Sequence, residues 1–544
     1  MKIEVKEWDL KQINSFGNAY IHNYEEVSSF FDYHPHKPFS YQERLDELRK
    51  RPFDRESLAK VIANYMDRFG LHDSQKKQLE RLASPNSVIV IGGQQAGLLL
   101  GPLYSIYKII TILQLAKQKE AELNIPVIPV FWIAGEDHDW QEVNHVFIPA
   151  KEGPRLERIG LDTEEGVKSS LSDKRLDKEQ VLKGLEKFFE SQPTTEFTAD
   201  LYKEIQFSLD QSTTYVDFFS HLLQFLFSKY GLLFIDSGDT QFRSLETDIF
   251  KQIIKNYNLI DQQVRFSIEQ VVDQGFEPQI VTGEHPALLF IIINGERLLL
   301  EKKGEFFLTK NGYSYTEEEL LDIATTTPWA LSNNVITRPF MQERLFPTLA
   351  FVGGPGEIAY WALLKNYFNH LDLKLPIVAP RIGISLIDPA TSRILEKKKI
   401  ELEHVFGDFD QFKKQWLSSQ DQLNLEAGFE STKQQIEQIY QPLISKIGEA
   451  NLGLEELANQ NLGKILEQVQ FLEKRALSSL AKQHETALKQ FDKVEQMLLP
   501  HGKPQERMFN FFTFLNKHGM VLVDQLVECK ELKQNGIHKV LYIG

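Results

Sequence analysis

The chain has 544 residues, the length of about three or four domains at roughly 150 residues each. With 42% hydrophobic and 25% charged residues it has ordinary globular composition, which excludes wholesale disorder. The net charge of −15, from 61 Lys+Arg against 76 Asp+Glu, argues against a nucleic-acid partner.

The opening residues, MKIEVKEWDL, put charges where a signal peptide needs an apolar core. The most apolar stretches, 125–134 and 286–293, are about half a bilayer span. A soluble, cytoplasmic protein with no membrane partner is expected. The single cysteine, Cys529, can form neither an internal disulfide nor a Cys-based zinc cluster, which fits a reducing compartment.

Residues 1–85 read as a helical segment, with apolar residues at three- and four-residue spacing in 41–51 and 56–66. The texture then changes to a β-branched run at 87–91, a glycine turn at 92–97, an apolar helical pattern at 102–117 and a buried strand at 127–133. Strand, glycine turn, helix, strand is the pattern of a βαβ unit on a parallel sheet. A charge-rich insertion is expected over 151–215. The core resumes over 216–264 with a strand at 232–236. Between 265 and 330 the Asn294-Gly295 and Asn311-Gly312 pairs signal hairpins, so a small antiparallel insertion is expected. Residues 331–387 return to α/β texture. The economical reading is an α/β, Rossmann-like core (86–150, 216–264, 331–387) carrying two insertions.

From 388 to 500 the composition shifts to Gln, Glu, Lys and Leu. Leu462, Ile465, Val469, Leu472, Ala476, Leu480, His484, Ala487, Phe491, Val494 and Leu498 form a heptad-like stripe with a four-residue stutter. A second stripe at Ile436, Ile439, Leu443 and Ile447 supplies another helical arm. A coiled coil that forms a homodimer is preferred here over one folded on its own body. Residues 501–544 are expected to dock on the core, and Cys529 is placed in an amphipathic helix, a poor setting for a nucleophile.

Three segments fall at strand ends, where open α/β sheets bind ligands. Gly93, Gln94, Gln95 and Gly97, with Gly101 and Pro102 opening the next helix, offer close backbone approach and an anion-ready helix N-terminus. The spacing matches neither GxGxxG nor a Walker A loop, and a tight turn without ligand is the bland alternative. Glu136, Asp137, His138 and Asp139, followed by Asn144 and His145, end a buried strand, and three carboxylates around one imidazole need partners. They can act as acid and base, orient an amine or hold a metal. Zinc has no fixed ligand spacing to support it, so no metal ligand is assigned. Arg338 and Arg381 offer guanidinium forks for carboxylate or phosphate, beside the strand-to-helix turn of Gly353, Gly354, Gly356 and Glu357.

Gly93-Gln-Gln-Ala-Gly-Leu98 with Gly101-Pro-Leu-Tyr104, Trp132-Ile-Ala-Gly-Glu-Asp-His-Asp139 with Asn144-His145, and Gly353-Gly-Pro-Gly-Glu357 resemble the bacillithiol-biosynthesis cysteine-adding enzyme family, BshC. The resemblance covers essentially the whole chain. It implies a Rossmann-type, nucleotidyltransferase-like core related to class I aminoacyl-tRNA synthetases, with connecting insertions and a dimerising coiled coil. It also implies a ligase that joins the carboxylate of cysteine to the amino group of glucosaminyl-malate, the last step of bacillithiol synthesis. In that role Glu136, Asp137, His138 and Asp139 would deprotonate or orient the amine. The glycine turns, Gln94, Gln95, Asn144, His145, Glu357, Arg338 and Arg381 would bind substrate, ATP or another nucleotide. The chain carries neither the HIGH nor the KMSKS signature of adenylate formation, so nucleotide use rests on the resemblance. Two alternatives are another class I synthetase-like ligase and a non-catalytic dimeric scaffold.

Overall fold

The computed structural model describes residues 3–10, 14–149, 155–162, 168–421, 424–450 and 453–544. Parts of the charge-rich insertion (151–154 and 163–167) and the first two residues lie outside these. The chain divides into two compact units, one of residues 1–149, 156–386 and 503–544, the other of 150–155 and 387–502.

The first unit is built on a five-stranded parallel sheet. From one edge its strands are Ile377–Pro380, Thr348–Gly353, Val88–Gln94, Val127–Ile133 and Leu233–Asp236. Every residue of Val127–Ile133 is buried, as a strand covered on both faces requires. The order reverses between Val88–Gln94 and Thr348–Gly353, so the crevice beyond the carboxyl ends of these two strands is the topological switch point. The glycines there are demanded partly by sheet packing. A Cβ on Gly93 would lie 2.8 Å from the Trp132 carbonyl oxygen, and one on Gly92 2.9 Å from that of Val352.

The helix Leu103–Leu123 crosses over one face. Its entry is a left-handed turn, with φ of 50° at Leu99, 66° at Leu100 and 72° at Gly101. Asn510 Nδ2 holds that turn by donating to the carbonyl oxygens of Leu99 and Gly101, each at 2.8 Å. Such conformations cost about 1–3 kcal/mol per residue and persist where their surroundings over-determine them.

A five-stranded antiparallel sheet runs in the order Ser314–Thr316, Phe306–Leu308, Glu296–Lys303, Ala287–Ile293 and Leu331–Asn333. Its tight hairpin turns on Asn294 and Gly295, with φ of 51° and 81°. The charge-rich stretch contributes the strand Leu156–Gly160, antiparallel to His145–Pro149, and the helices Lys178–Glu190 and Thr198–Gln211.

Two local expectations are corrected. Residues Ile3–Trp8, read as part of a helical segment, form a strand antiparallel to His538–Ile543, with Val5 opposite Leu541. The alternation of Ile3, Glu4, Val5 and Lys6 is the period-two signal that the helical reading passed over. Cys529 lies just past the end of the helix Val521–Glu528, in extended backbone, where burial and the neighbouring Glu531 raise its thiol pKa.

In the second unit, Leu425–Glu449 and Glu455–Gln483 form an antiparallel helical hairpin. Lys433 Nζ meets Glu473 Oε2 at 2.7 Å, and Tyr440 Oη bonds Asn461 Oδ1 at 2.8 Å. The apolar stripe of 462–498 does not run through one helix. It breaks at His484, before Glu485–Leu498, after three successive four-residue steps rotate the seam away from a heptad. Phe491 then packs edge-on against Trp416 at 4.8 Å. No described helix is long and apolar enough to cross a membrane.

Candidate functional site

A cleft of about 670 Å³ opens at the switch point. Of the residues singled out from sequence it gathers Gly93, Gln94, Gln95, Glu136, Asp137, His138, Arg338, Gly354, Gly356, Glu357 and Arg381. A second cavity of about 480 Å³ holds Gly97, Gly101, Pro102 and His145, and shares Gln94, Gln95, Tyr104, Glu142 and Arg507 with the first. Asp139, Asn144 and Gly353 line neither cavity.

Glu136 follows the buried strand Val127–Ile133 and is itself buried. Its Oε2 accepts from Arg243 Nη2 at 2.6 Å, Ser332 Oγ at 2.8 Å and the Asn333 N–H at 2.9 Å. Burial alone would raise this carboxyl, but the guanidiniums of Arg243 and Arg297 and these hydrogen bonds outweigh it and hold the pKa below the ordinary value. Glu136 is therefore a fixed anion bonded into the scaffold. On the far side of Arg243, 2.9 Å away, sits Glu246, which burial pushes up to about 8 despite the cation. Asp236, at the end of the neighbouring strand, is likewise pushed up by burial, to about 7.

Asp137 is the half-exposed carboxylate of the loop. Its Oδ2 accepts from Gln95 Nε2 at 2.7 Å and its Oδ1 from the His138 N–H at 2.7 Å. Arg297 Nη1 lies 3.8 Å from it. Asp139 caps the short helix Trp140–Val143, accepting from the Glu142 N–H at 3.3 Å. Asn144 is buried and stitches the chain together, donating to the Leu161 carbonyl at 3.0 Å and accepting from Arg158 at 2.7 Å.

Lys108 is fully buried on the helix Leu103–Leu123. Its ammonium donates to the Gly93 carbonyl at 2.6 Å, Gln94 Oε1 at 3.1 Å and Glu357 Oε2 at 2.6 Å. Glu357 also accepts from the Gly354 N–H at 2.9 Å, so it caps the helix Pro355–Trp361 while neutralising Lys108. The glycine turn and the strand end are thus joined by one lysine. The first N–H of the helix Leu103–Leu123 is bonded to the Phe509 carbonyl at 2.9 Å, so that terminus offers an anion less than its sequence suggests.

The two arginines expected at the rim differ. Arg381 is bidentate to Glu506, at 2.9 and 2.7 Å, and both are buried. Burial would raise Glu506, but the guanidinium brings it down to about 2. That charge is already neutralised. Arg338 donates only to neutral groups, Gln342 Oε1 at 3.2 Å and Tyr360 Oη at 2.5 Å, and forms no ion pair among the described residues. Arg507, exposed between the two cavities, likewise has no ion-pair partner among the described residues. With the exposed Lys503 of the second cavity, these two are the cations left, among the described residues lining the two cavities, for an anionic ligand.

Sequence reasoning missed Lys108, Arg243, Arg297 and Arg507. Lys108 had a signal, being the single charge within the apolar run 103–115. The others had none, since Arg297 and Arg507 reach the cleft, and Arg243 reaches Glu136, from distant segments. Zinc does not fit: among the described residues no three His, Cys, Asp or Glu side chains gather to hold a metal. The donors at the strand end are already engaged, Glu136 by Arg243 and His138 Nδ1 by Arg297 at 2.8 Å.

Comparison with known proteins covers the chain end to end. Residues 3–382 match the model described as "Bacillithiol biosynthesis BshC, N-terminal Rossmann-like domain", and 384–543 the "C-terminal coiled-coil domain" of the same family. Relatives from Bacillus cytotoxicus and Bacillus thuringiensis subsp. konkukian are each 37% identical over 541 residues, 99% of this chain and the whole of the relative. One from Bacillus cereus (strain AH187) is 36% identical over the same span. Each bears the name "Putative cysteine ligase BshC".

Proposed function

This chain belongs to the bacillithiol biosynthesis BshC family, and on that premise we propose that the switch-point cleft joins the carboxylate of cysteine to the amino group of glucosaminyl-malate. The observation that carries the reading is the pairing, in one cleft, of the half-exposed Asp137 carboxylate with the unpaired guanidinium of Arg338.

A carboxylate is a poor electrophile and an ammonium has no lone pair, so amide formation needs an activated acyl group and a proton acceptor. ATP or another nucleotide supplies the activation, as an acyl-adenylate or acyl-phosphate. Arg338 and Arg507 offer the anion contacts that phosphate or the malate carboxylates require, and the donor set fits such groups. Asp137 takes the proton of the substrate ammonium, held in place by Gln95. Glu136, Asp139 and Asn144 shape the loop that presents it.

In this reading the core segments 86–150, 216–264 and 331–387 carry the cleft, and the insertion 265–330 delivers Arg297 to it. The hairpin within 388–500 exposes Ile439, Leu443, Phe471 and Leu472, between 49% and 73% accessible, which supports pairing with a second copy as a homodimer. The cytoplasm is the compartment that supplies the nucleotide and free cysteine. The test is purified protein with cysteine, glucosaminyl-malate and a panel of nucleotides, followed by mass spectrometry of thiol products. The expected result is the cysteinyl amide in a nucleotide-dependent reaction. Product without nucleotide would remove the activation step, and no product with any nucleotide would remove the ligation.

A further inference from the structure

Arg297 leaves the antiparallel sheet and enters the rim of the core with all three guanidinium nitrogens engaged. Its Nε donates to Ser332 Oγ at 2.9 Å, its Nη2 to the Asn333 carbonyl at 2.6 Å and its Nη1 to His138 Nδ1 at 2.8 Å. The guanidinium lies over the Phe290 ring, 3.7 Å from its centre, and Phe290 also meets the His138 ring edge-on at 5.8 Å. Ser332 Oγ and the Asn333 N–H in turn hold Glu136. Arg297 therefore cannot be moved without disturbing the strand-end loop.

A guanidinium has donors and no acceptor, and it does not deprotonate in proteins. A 2.8 Å contact from its Nη1 thus requires a lone pair on His138 Nδ1, and the proton of the neutral ring must be on Nε2. His138 lines the cleft, and its Nε2 meets no hydrogen-bonding protein group among the described residues. We propose that Arg297 is a positioning residue that fixes His138 as the neutral Nε2–H tautomer, so that the imidazole enters the reaction as a hydrogen-bond donor and not as its base.

The charged groups facing the ring agree with this. Burial and the Arg297 cation, with Lys168, favour the neutral ring over the opposing pull of Asp137 and Asp139. During ligation the amine lone pair forms the C–N bond and the acyl C=O pair moves onto oxygen. That pair then returns as the C–O bond to the phosphate-bearing leaving group breaks; of the two protons the nitrogen loses, one goes to Asp137 to free the lone pair and the other leaves with the phosphate-bearing group. The Nε2–H stays on the ring throughout and donates to the acyl oxygen while it is negative. This role rests on the ligation reading; the tautomer does not.

The experiment has two arms. In the first, the wild-type protein is labelled with 15N-histidine, and the His138 resonances are identified by their loss in His138→Gln. At near-neutral pH the expected spectrum is a neutral ring with its proton on Nε2, whereas an imidazolium or a proton on Nδ1 overturns the proposal. No substrate is needed, so this arm stands even if ligation fails. In the second arm, the same 15N signals follow the titration of His138 in wild type, Arg297→Gln and Arg297→Lys, with kcat/KM measured beside it. Loss of the cation lets His138 protonate more easily, so the ring titrates at higher pH in Arg297→Gln, and its neutral form no longer keeps the proton on Nε2 alone. Arg297→Lys restores most of that shift. A loss of activity with the His138 titration and tautomer unmoved would reduce Arg297 to a structural residue and overturn the proposal.

Discussion

The carboxylate of Glu136 lies 2.6 Å from the guanidinium of Arg243, and both side chains are buried. The neighbouring Asp137 has no comparable anchor, so adjacent carboxylates have separate work. Glu136→Gln leaves Arg243 and Arg297 with less compensation and is expected to lower unfolding free energy by about 3–5 kcal/mol. Asp137→Asn is expected to leave stability nearly unchanged and cut kcat by about 10²–10⁴-fold. Denaturant unfolding and steady-state kinetics on the two variants check this. Equal stability loss in both would contradict the division.

Glu246, the other partner of Arg243, responds to pH in the opposite sense from an ordinary paired acid. Its folded pKa of about 8 lies above the ordinary value of 4.5, so the folded state holds that proton more tightly. The stabilising contribution is full below 4.5 and is lost as pH rises through 8. Glu246→Gln, which needs no proton, is expected to gain stability relative to wild type on going from mildly acidic to alkaline pH. Urea midpoints on both sides of the transition measure it. A variant that weakens at alkaline pH would show that Glu246 works as an ionised partner.

Arg338 and Arg381 line the same cleft, the first with no ion pair among the described residues and the second bidentate to Glu506. Arg381→Gln strands Glu506 as a buried, unpaired charge and is expected to cost about 3–5 kcal/mol of stability. Arg338→Gln breaks no ion pair and is expected to cost under about 1 kcal/mol while raising the KM of an anionic substrate about tenfold or more. Calorimetry beside substrate titration separates them. Reversal of the pattern would exchange their roles.

The C-terminal strand carries an acid-sensitive group. His538 is buried, with its Nε2 bonded to Ser385 Oγ at 2.8 Å, and burial lowers its pKa to about 4. Because the unfolded imidazole binds its proton more readily, this contribution is present above pH 6.5 and is lost as pH falls toward 4. About 3 kcal/mol should disappear across that window in wild type and not in His538→Gln. Glu506 adds a further loss between 4.5 and 2. Chemical denaturation at steps through the window follows both, and a flat wild-type profile would contradict the assignment.

What the sequence made legible follows from which forces are local. The strand at 127–133 and the turn at Asn294-Gly295 are written in hydrophobic runs and in backbone preferences. The residues ending the core strands could be named because an α/β sheet presents its site there. The partners could not. Arg243 and Arg297 lie 107 and 161 residues from Glu136, and no spacing rule links them. Arg381 read as a ligand-binding fork because a guanidinium's availability depends on whether a carboxylate such as Glu506, 125 residues away, reaches it first. The stripe through His484 read as one seam because periodicity reports a buried face and not where the backbone breaks.

In the proposed reaction this cleft activates the cysteine carboxylate through a nucleotide before the amide forms. The direct measurement uses cysteine labelled with 18O in both carboxylate oxygens, together with glucosaminyl-malate and the nucleotide that supports turnover. Mass spectrometry then reads every phosphorus-containing product. One 18O atom transferred to the nucleoside monophosphate or to inorganic phosphate for each amide formed is the predicted result. Amide formation with no 18O in any phosphorus-containing product would contradict the account.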